Sequence, residues 1–216
     1  MQIHNRIIKR GFDLVLAVVG LFLLWPLILG CILLARYDTG LSGLFEQIRV
    51  GRHGKPIKIR KIRTMKPVPG MDTTVTVVND QRITRVGRFF RRWKLDELPQ
   101  LWNVLIGDMS FVGPRPDVPG YADQLEGEQR SILQMRPGIT GPATIKYTNE
   151  EALLGMVSDP VEFNDTVLYP DKVRLNLNYW RNWSLWSDIY YILITLRLLA
   201  PPVELRVPLQ SISDKG

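Results

Sequence analysis

Leu14 to Ala35 reads LVLAVVGLFLLWPLILGCILLA, a run of 22 residues without a charged side chain. At a rise of about 1.5 Å per residue, a helix of this length reaches roughly 33 Å, enough to cross a hydrocarbon core of about 30 Å. A secretory signal peptide has an apolar region of only about 7–15 residues, followed by small residues at its cleavage site. Here large residues and Arg36 follow the run. The stretch therefore predicts a retained membrane helix.

The path of this helix through the membrane is left open by its flanks and by its midpoint. Both flanks are basic, with Arg6, Lys9, Arg10 and Arg36. Because basic residues resist translocation, neither end is the obvious outside one. Pro26, preceded by Trp25, stands near the midpoint, where a proline removes a backbone hydrogen bond and kinks a helix. A re-entrant hairpin hinged at Pro26 and a kinked span are equally compatible with these residues.

The chain as a whole has the composition of a globular protein. Of its 216 residues, 45% are hydrophobic and 23% are charged, which argues against wholesale disorder. Only one run is long enough to cross a bilayer, which excludes a polytopic transporter. Lys and Arg number 28 against 21 Asp and Glu, a formal net charge of +7. This surplus indicates an anionic partner such as phosphate, nucleic acid or lipid headgroups.

Half of the positive charge is concentrated in two blocks that contain no acid. Residues 49–66 hold eight cations and residues 82–94 hold six. In the second block Ile83, Val86, Phe90 and Trp93 recur at helical spacing, which predicts a basic amphipathic helix. Such a helix suits an anionic membrane surface, although a solvated surface helix is the plainer alternative. No signature of a nucleic-acid-binding fold accompanies the charge.

Two further segments have recognisable periodicity. Ile57, Ile59 and Ile62 separate basic residues and predict a short strand. Trp183 to Leu199 is apolar except for a few polar positions, most of which share one helical face. Those positions are Ser184, Ser187, Asp188 and Thr195. This segment predicts either an interfacial amphipathic helix or a helix packed on the soluble core.

Asp96 and Glu97 are adjacent carboxylates that directly follow the arginine-rich block. Pro99 is tolerated in a first helical turn, so we expect a helix to begin at about Asp96. An aspartate at a helix start is usually an N-cap. Two acids surrounded by at least six cations indicate more: a carboxylate kept ionised, able to hold a divalent metal and to meet a phosphate.

Two proline- and glycine-rich loops each contain one arginine. They are Gly113-Pro114-Arg115-Pro116 and Arg136-Pro137-Gly138-Ile139-Thr140-Gly141-Pro142. A stiff loop fixes the guanidinium, which suits the oriented binding of a phosphate. A plain turn with an exposed arginine is the commoner alternative for either loop alone.

These motifs occur in the order seen in a known family. The blocks are Lys61 to Met65 (KIRTM), Thr84 to Arg88 (TRVGR), Leu95 to Leu105 (LDELPQLWNVL), Gly107 to Pro116 (GDMSFVGPRP) and Arg136 to Gly141 (RPGITG). With the preceding apolar run, the chain resembles the bacterial monotopic phosphoglycosyl transferases, also called the bacterial sugar transferase family. The resemblance covers roughly Arg6 to Leu199.

The resemblance implies an α+β, mainly helical, monotopic membrane protein. Residues 1–36 would form a re-entrant membrane helix hairpin broken at Pro26, with Trp25 and Pro26 as its hinge. Residues 37–216 would form a small cytosolic catalytic domain with interfacial amphipathic helices, at the cytoplasmic face of the bacterial inner membrane. It further implies the small form of the family and allows a homodimer.

The reaction implied is transfer of a sugar-1-phosphate from a UDP-sugar to undecaprenyl phosphate with release of UMP. Asp96 would be the nucleophile and the Mg²⁺ ligand, and Glu97 would support it. The resemblance also implies a set of phosphate- and nucleotide-binding residues. These are Lys61, Arg63, Arg88, Arg115, Arg136, Pro137, Gly138 and Thr140.

Departures from the family pattern keep alternatives open. Trp25 replaces the serine common before the hinge proline, and residues 142–169 leave the commonest pattern, so the sugar is not identified. A glycosyltransferase that releases UDP usually has an Asp-x-Asp metal motif, and this sequence contains none. A non-catalytic membrane adaptor is also compatible with the sequence.

Overall fold

The protein is described by a computed structural model over residues 3–68 and 80–205. Within these ranges it is mainly helical with two small two-stranded sheets, which confirms the predicted class of secondary structure. The helices are α1 (Ile3–Thr39), α2 (Arg85–Arg92), α3 (Gln100–Ile106), α4 (Pro142–Lys146), α5 (Glu150–Leu154), α6 (Pro160–Phe163), α7 (Tyr169–Arg181) and α8 (Leu185–Thr195). The strands are β1 (Leu44–Val50), β2 (Pro56–Ile62), β3 (Ser110–Val112) and β4 (Gly138–Thr140). The parts of the expected catalytic domain at 69–79 and 206–216 lie outside the described residues.

Helix α1 is one continuous element that contains Pro26 and ends three residues beyond the predicted boundary at residue 36. In the described part of the chain it is the one helix long and apolar enough to cross a membrane. Its apolar side is open: Phe22 is 76% and Leu23 is 66% exposed. Because α1 continues through Pro26 as one helix, the structure does not show the predicted hairpin, which stays a prediction.

Both halves of α1 pack on the same folded domain. On the first half Ala17 packs with Ile59 and Val104, and on the second half Ala35 packs with Phe90. A hydrophobic stripe at helical spacing therefore joins the long helix to the rest of the protein on either side of its proline.

The predicted strand at Ile57 to Ile62 is confirmed as β2. It pairs antiparallel with β1, with Gln47 opposite Ile59. The tight connection includes His53 with a φ of 61°, in the left-handed region. Ile59 and Ile62 are both buried against α1, so the β1–β2 sheet packs against the long helix.

The predicted basic amphipathic helix corresponds to α2. Its N-cap, Thr84, accepts a hydrogen bond from the amide of Gly87. A Cβ on Gly87 would lie 2.1 Å from the carbonyl oxygen of Thr64, so only glycine allows this close approach. Phe90 is buried as expected, whereas Trp93 is 58% exposed.

The helix expected to begin at Asp96 begins later, at Gln100. Leu95 to Glu97 form a separate 3₁₀ turn, preceded by Lys94 in the left-handed conformation with a φ of 56°. Lys94 redirects the chain between α2 and the turn, and Pro99 takes the N-cap position of α3. Asp96 is therefore not a capping residue of α3.

The two proline–glycine loops meet through β3 and β4, which pair in parallel. The amide of Gly138 donates to the carbonyl of Pro114 at 2.8 Å, and that of Gly113 donates to Thr140 at 2.9 Å. A Cβ on Gly113 would lie 2.4 Å from the carbonyl oxygen of Arg136. The glycines are required because the two loops touch backbone to backbone.

The predicted C-terminal amphipathic helix is α8, shorter at both ends than the pattern suggested. One residue of its polar face points into the protein: Asp188 is fully buried and accepts a hydrogen bond from Lys9 Nζ at 2.6 Å. The opposite side exposes Trp186 (79%) and Tyr190 (38%). The helix therefore packs on the core through Asp188 and through apolar residues such as Ile194, leaves an apolar edge outside, and its place in a membrane interface stays a prediction.

Candidate active site

Glu97 is the charged centre of the candidate site. It lies in the 3₁₀ turn between α2 and α3, and its side chain is 11% exposed. Its Oε1 accepts hydrogen bonds from Lys61 Nζ at 3.1 Å and from an Arg115 guanidinium nitrogen at 3.4 Å. Burial alone raises the pKa of Glu97, but the charges of Lys61 and Arg115 outweigh it and lower the pKa to about 2. Glu97 is therefore ionised at neutral pH.

Asp96 lies in a different environment from its neighbour. Its Oδ1 is buried and has no hydrogen-bond partner. Burial, followed by the charge of Glu97, raises the pKa of Asp96, and Lys61 and Lys94 oppose this only in part. The expectation that the cations keep a carboxylate ionised is met by Glu97. For Asp96, the effects that raise the pKa exceed those that lower it.

The unpartnered oxygen of Asp96 is suited to a cationic ligand. A buried acceptor without a partner costs free energy, and in native proteins a bound ion or ligand commonly satisfies it. Over the described ranges, no cluster of three or more His, Cys, Asp or Glu side chains could hold a metal alone. Mg²⁺ commonly binds through one or two carboxylates plus phosphate oxygens of a substrate. Asp96 and Glu97 are compatible with that mode of binding.

Two of the predicted phosphate ligands converge on the acidic pair. Lys61 comes from β2 and Arg115 from the loop after β3, whose position is fixed by the pairing of β3 with β4. The Arg115 side chain is 45% exposed, so its guanidinium is open to a ligand.

Two cations near Asp96 were missed as site residues. Arg91 and Lys94 both lower the pKa of Asp96. Arg91 lies in the last turn of α2, and Lys94 immediately precedes the acidic turn. The arginine-rich block indicated that cations lie near the acidic pair. The sequence did not show that the left-handed backbone of Lys94 turns the end of this block towards Asp96.

Three other predicted arginines are engaged elsewhere. Arg63 Nε donates to the carbonyl of Ser42 at 2.7 Å, and an Arg88 nitrogen donates to that of Ile83 at 3.2 Å. Arg136 Nε donates to the carbonyl of Gly107 at 2.7 Å, beyond the C-terminal end of α3. The structure does not bring these side chains to the acidic pair, and their binding roles stay predictions.

The remaining predicted nucleotide ligands form part of the scaffold. Pro137 accepts a hydrogen bond from the amide of Ser110 at 2.9 Å, and Gly138 belongs to β4. The Thr140 hydroxyl lies 2.5 Å from that of Thr195 in α8. These contacts help to fix the position of the loop after β3, which contains Arg115. Contact of Pro137, Gly138 and Thr140 with a nucleotide stays a prediction.

Part of the segment that departs from the family pattern reaches the edge of this site. Glu151 of α5 pairs with Arg91 of α2. Its neighbour Glu150 pairs with Lys172 of α7 at 2.6 Å, and the charge of Glu150 raises the pKa of Arg115. Sequence reasoning missed both acids, because nothing local shows that α5 folds back onto α2.

Behind Arg115 lies a polar interior centred on Asp117. Burial raises the pKa of Asp117 to about 6, against the opposing charges of Lys172 and Arg49. Burial, followed by the charge of Arg115, lowers the pKa of Arg49 to about 10. These charges crowd the base of the loop that presents Arg115.

This arrangement of ordered motifs around one acidic turn corresponds to a described family. The family model described as bacterial sugar transferase matches residues 4–201. The chain belongs to this family. The match includes α1 as well as the acidic turn, both proline–glycine loops and α8.

Several curated relatives carry specific names. A protein of Escherichia coli (strain K12), named UDP-glucose:undecaprenyl-phosphate glucose-1-phosphate transferase, is 41% identical over 89% of this chain and 40% of its own length. One of the same name from Caulobacter vibrioides is 38% identical over 87% of this chain and 68% of its length. A relative from Aeromonas hydrophila, named UDP-N-acetylgalactosamine-undecaprenyl-phosphate N-acetylgalactosaminephosphotransferase, is 34% identical over 89% of this chain and 43% of its length. The chain thus spans about two fifths of the Escherichia coli and Aeromonas proteins.

Proposed function

We propose that this protein transfers a sugar-1-phosphate from a UDP-sugar to undecaprenyl phosphate and releases UMP. This reaction would initiate assembly of a bacterial glycoconjugate, such as a capsule, exopolysaccharide, O-antigen or glycoprotein. The observation that carries the proposal is the buried, unpartnered carboxylate oxygen of Asp96 beside an ion-paired Glu97 and several cations. The names of the family relatives support the substrates, and because those names differ in the sugar, the sugar remains unassigned.

In the first step, a carboxylate oxygen of Asp96 attacks the β-phosphorus of the donor. A bond forms between this oxygen and phosphorus, the bond from the β-phosphorus to the bridging oxygen breaks, and UMP leaves with that oxygen. Lys61 and Arg115 are placed to bind the diphosphate, since both cations already gather around Glu97. Arg91 and Lys94 add positive charge on the side of Asp96.

Mg²⁺ would be held by Asp96, with Glu97 adjacent. When bound it would neutralise charge on the diphosphate, so that an anionic nucleophile can approach. Glu97 keeps Lys61 and Arg115 oriented whether or not the ion is present, because its ion pairs with them do not involve Asp96.

In the second step, a phosphate oxygen of undecaprenyl phosphate attacks the phosphorus of the aspartyl phosphosugar. The new P–O bond forms the lipid diphosphate sugar, and the Asp96–phosphorus bond breaks to restore the carboxylate. The same site thus serves a soluble donor and a lipid acceptor in turn. Exposed apolar side chains on α1, together with Phe89 and Trp93 at the end of α2, support a location at the membrane surface.

The contacts of α1 support a monotopic arrangement. Lys9 is paired with Asp188 near one end of the helix, and Ala35 packs on Phe90 near the other end. If α1 crossed the bilayer, the charged domain attached to both ends would have to enter hydrocarbon at a high free-energy cost. We therefore place both ends, and the catalytic domain, at the cytoplasmic face of the inner membrane. A homodimer stays a prediction.

Substitution of the nucleophile tests the reaction. We expect Asp96→Asn to lower turnover by more than about 10³-fold, the scale of losing a covalent nucleophile. The assay combines purified protein, Mg²⁺, undecaprenyl phosphate and a panel of UDP-sugars, and separates UMP from UDP. Asp165→Asn, at an exposed carboxylate between α6 and α7, is the matched control.

The donor label distinguishes the outcomes. With acceptor withheld, phosphate label from the β-position should remain on the wild-type protein and not on Asp96→Asn. Release of UDP in place of UMP would assign the protein to the glycosyltransferases that transfer a sugar without its phosphate. Binding to membranes without either nucleotide product, across the whole panel, would leave the adaptor role.

A further inference from the structure

The described chain contains a second concentration of positive charge, at the opposite end of α3 from the acidic turn. A small pocket, partly open to solvent, lies between the start of α1, the β1–β2 connection and the segment before β4. Its lining includes Arg6, Arg52, Arg136, Gln134 and Trp180. The seven residues of α3 separate its end at Gly107 from the acidic turn by roughly 10 Å, so this pocket is distinct from the site of Asp96.

The three lining arginines have only neutral partners. Arg6 donates to the Gln134 side chain at 3.1 Å, Arg52 to the carbonyl of Gln134 at 2.9 Å, and Arg136 to that of Gly107 at 2.7 Å. In the part of the chain that the structure describes, none of the three forms an ion pair with a carboxylate. A fourth guanidinium, Arg10, lies beside them and donates to the carbonyls of Val104 and Leu105.

Negative charge near the pocket is already engaged. Asp188 accepts a hydrogen bond from Lys9 at 2.6 Å. Asp13, which lines the pocket, accepts hydrogen bonds from the Ser110 hydroxyl and from the amide of Phe111, each at 3.0 Å. Lys9 and Asp188 neutralise each other, and Asp13 forms no ion pair within the hydrogen bonds named above. Four guanidiniums, of Arg6, Arg10, Arg52 and Arg136, therefore face one carboxylate, an excess of three positive charges.

The guanidiniums also disfavour one another. Burial, and then the charges of Arg136 and Arg6, lower the pKa of Arg52. Burial and the charge of Arg10 lower that of Arg136, and Asp13 opposes this only in part. Like charges held together in a partly buried pocket cost free energy that a bound anion would remove.

One residue that lines the pocket has a buried donor without a partner. The indole Nε1 of Trp180 makes no hydrogen bond in the described structure. Guanidinium forks and N–H groups are the donors that phosphate oxygens accept hydrogen bonds from.

We infer that this pocket, formed by Arg6, Arg52 and Arg136, is a second phosphate-binding site, separate from the site of phosphosugar transfer. The phosphate could be carried by a lipid headgroup or by a soluble anion. Arg6 lies eight residues, about two helical turns, before the uncharged run of α1 begins at Leu14. The pocket therefore opens where α1 leaves the apolar run, at the level where phosphate headgroups of a membrane would lie.

The test uses Arg52→Gln and Arg6→Gln in the full chain, purified in uncharged detergent. Arg130→Gln is the matched control, because Arg130 is exposed and donates only to the backbone carbonyls of Asp123 and Leu125. The probes are inorganic phosphate and dihexanoyl phosphatidic acid below its micelle-forming concentration, with ionic strength held constant by chloride. The readout is the Tm, which does not depend on activity.

We expect a probe at tenfold its Kd to raise the Tm of the wild type by about 3–6 °C. The rise should fall to less than half in Arg52→Gln and Arg6→Gln and persist in Arg130→Gln. Without phosphate, Arg52→Gln should be at least as stable as the wild type, because it removes a repelled charge. A purely structural Arg52 would instead lower the Tm in that buffer.

The two probes distinguish the source of the phosphate. Stabilisation by the short-chain lipid at concentrations at least tenfold below those of inorganic phosphate assigns the pocket to a lipid headgroup, and the reverse assigns it to a soluble anion. An unchanged wild-type Tm with both probes, an equal rise in Arg52→Gln, or loss of the rise in Arg130→Gln would each overturn the inference. None of these outcomes depends on whether Asp96 forms a covalent intermediate.

Discussion

Adjacent carboxylates in one 3₁₀ turn acquire opposite properties because of their neighbours. Glu97 accepts hydrogen bonds from Lys61 and Arg115 and is held ionised, whereas Asp96 keeps a buried oxygen without a partner. A nucleophile gains from such poor solvation, since little of its environment must be rearranged before it attacks. The acidic pair itself was recognised from the sequence, and the family resemblance assigned Asp96 as the nucleophile and Glu97 as its support. Which of the two carboxylates is ion-paired was not predicted, because it depends on which one Lys61 and Arg115 reach in three dimensions.

Removal of the Glu97 charge should change both the rate and its pH dependence. We expect Glu97→Gln to lower turnover by about 10–100-fold, since Lys61 and Arg115 lose the carboxylate that orients them. The charge of Glu97 raises the pKa of Asp96, so its removal should move the acid limb of the kcat profile to lower pH. The control is Glu46→Gln on β1, whose carboxylate pairs with Lys58 and Arg60 away from the acidic turn. An acid limb that stays fixed or moves upward would contradict this account.

Asp117 should make the folded state less stable at neutral pH. Its pKa is raised from 3.8 to about 6, so the folded protein prefers the protonated form. Its contribution to stability is then fully present below about pH 4 and is lost as the pH rises through 6. The full shift corresponds to about 3 kcal/mol, and partial exposure of the side chain reduces this to about 1–3 kcal/mol.

The stability of Asp117→Asn relative to the wild type should therefore increase by about 1–2 kcal/mol when the pH is raised from 4.5 to 7.5. Denaturant unfolding at the two pH values measures the difference in the free energy of unfolding. Asp123→Asn, in the neighbouring 3₁₀ turn, serves as the control. Equal gains in both variants would argue against a specific cost at Asp117.

Helix α2 illustrates how far periodicity reaches and where it stops. The spacing of Val86 and Phe90 predicted the helix, and alternation of isoleucines predicted β2, because both patterns report local burial. Ile83, counted in the same helical pattern, lies before α2 and forms a β-bridge with Met65. The helix expected from Asp96 begins instead at Gln100, since Lys94 adopts a left-handed conformation that the sequence does not signal. Periodicity likewise gave no indication that α5 would contact Arg91.

The close contact between Gly87 of α2 and the backbone of Thr64, shortly after β2, should tolerate no side chain at position 87. A Cβ there would lie 2.1 Å from the carbonyl oxygen of Thr64. We expect Gly87→Ala to lower the free energy of unfolding by about 1–3 kcal/mol, because either α2 or the Thr64 backbone must move. Turnover should fall as well, since Arg91 moves with the helix.

Gly11→Ala is the matched control in α1, because a Cβ at Gly11 meets nothing within 4 Å. There, alanine should be neutral or stabilise the helix by up to about 1 kcal/mol. Thermal and denaturant unfolding of the pair should give effects of opposite sign. A tolerated Gly87→Ala would show that the close approach is not required.

In the whole molecule, the long helix and the catalytic domain form one connected body. The sequence predicted a membrane helix and a catalytic domain but did not predict how they are joined. Lys9, Asp13 and Ala17 had no signal of their own as contact residues, because their partners lie about 40 to 180 positions away in the chain. Likewise, the sequence did not show that the guanidinium of Arg136 lies at the far end of α3, and its role in donor binding stays a prediction.

The attachment of both halves of α1 predicts its topology. Cysteines introduced as His4→Cys and Tyr37→Cys, one at a time in a Cys31→Ala background, should both react with an impermeant thiol reagent from the cytoplasmic side only. Both positions are exposed, Tyr37 at 89%. Inverted and right-side-out vesicles provide the two sides. Labelling of the two positions from opposite sides would establish a span instead of a hairpin.

The ion pair between Lys9 and Asp188 joins residues that are 179 positions apart in the chain. During synthesis Lys9 is made well before its counter-ion, which becomes available only after a further 179 residues have been added. Until then the ammonium group of Lys9 has no carboxylate at position 188 to pair with. Synthesis of Asp188 therefore precedes the final attachment of the start of α1 to α8, and a chain that ended before residue 188 would leave this lysine uncompensated.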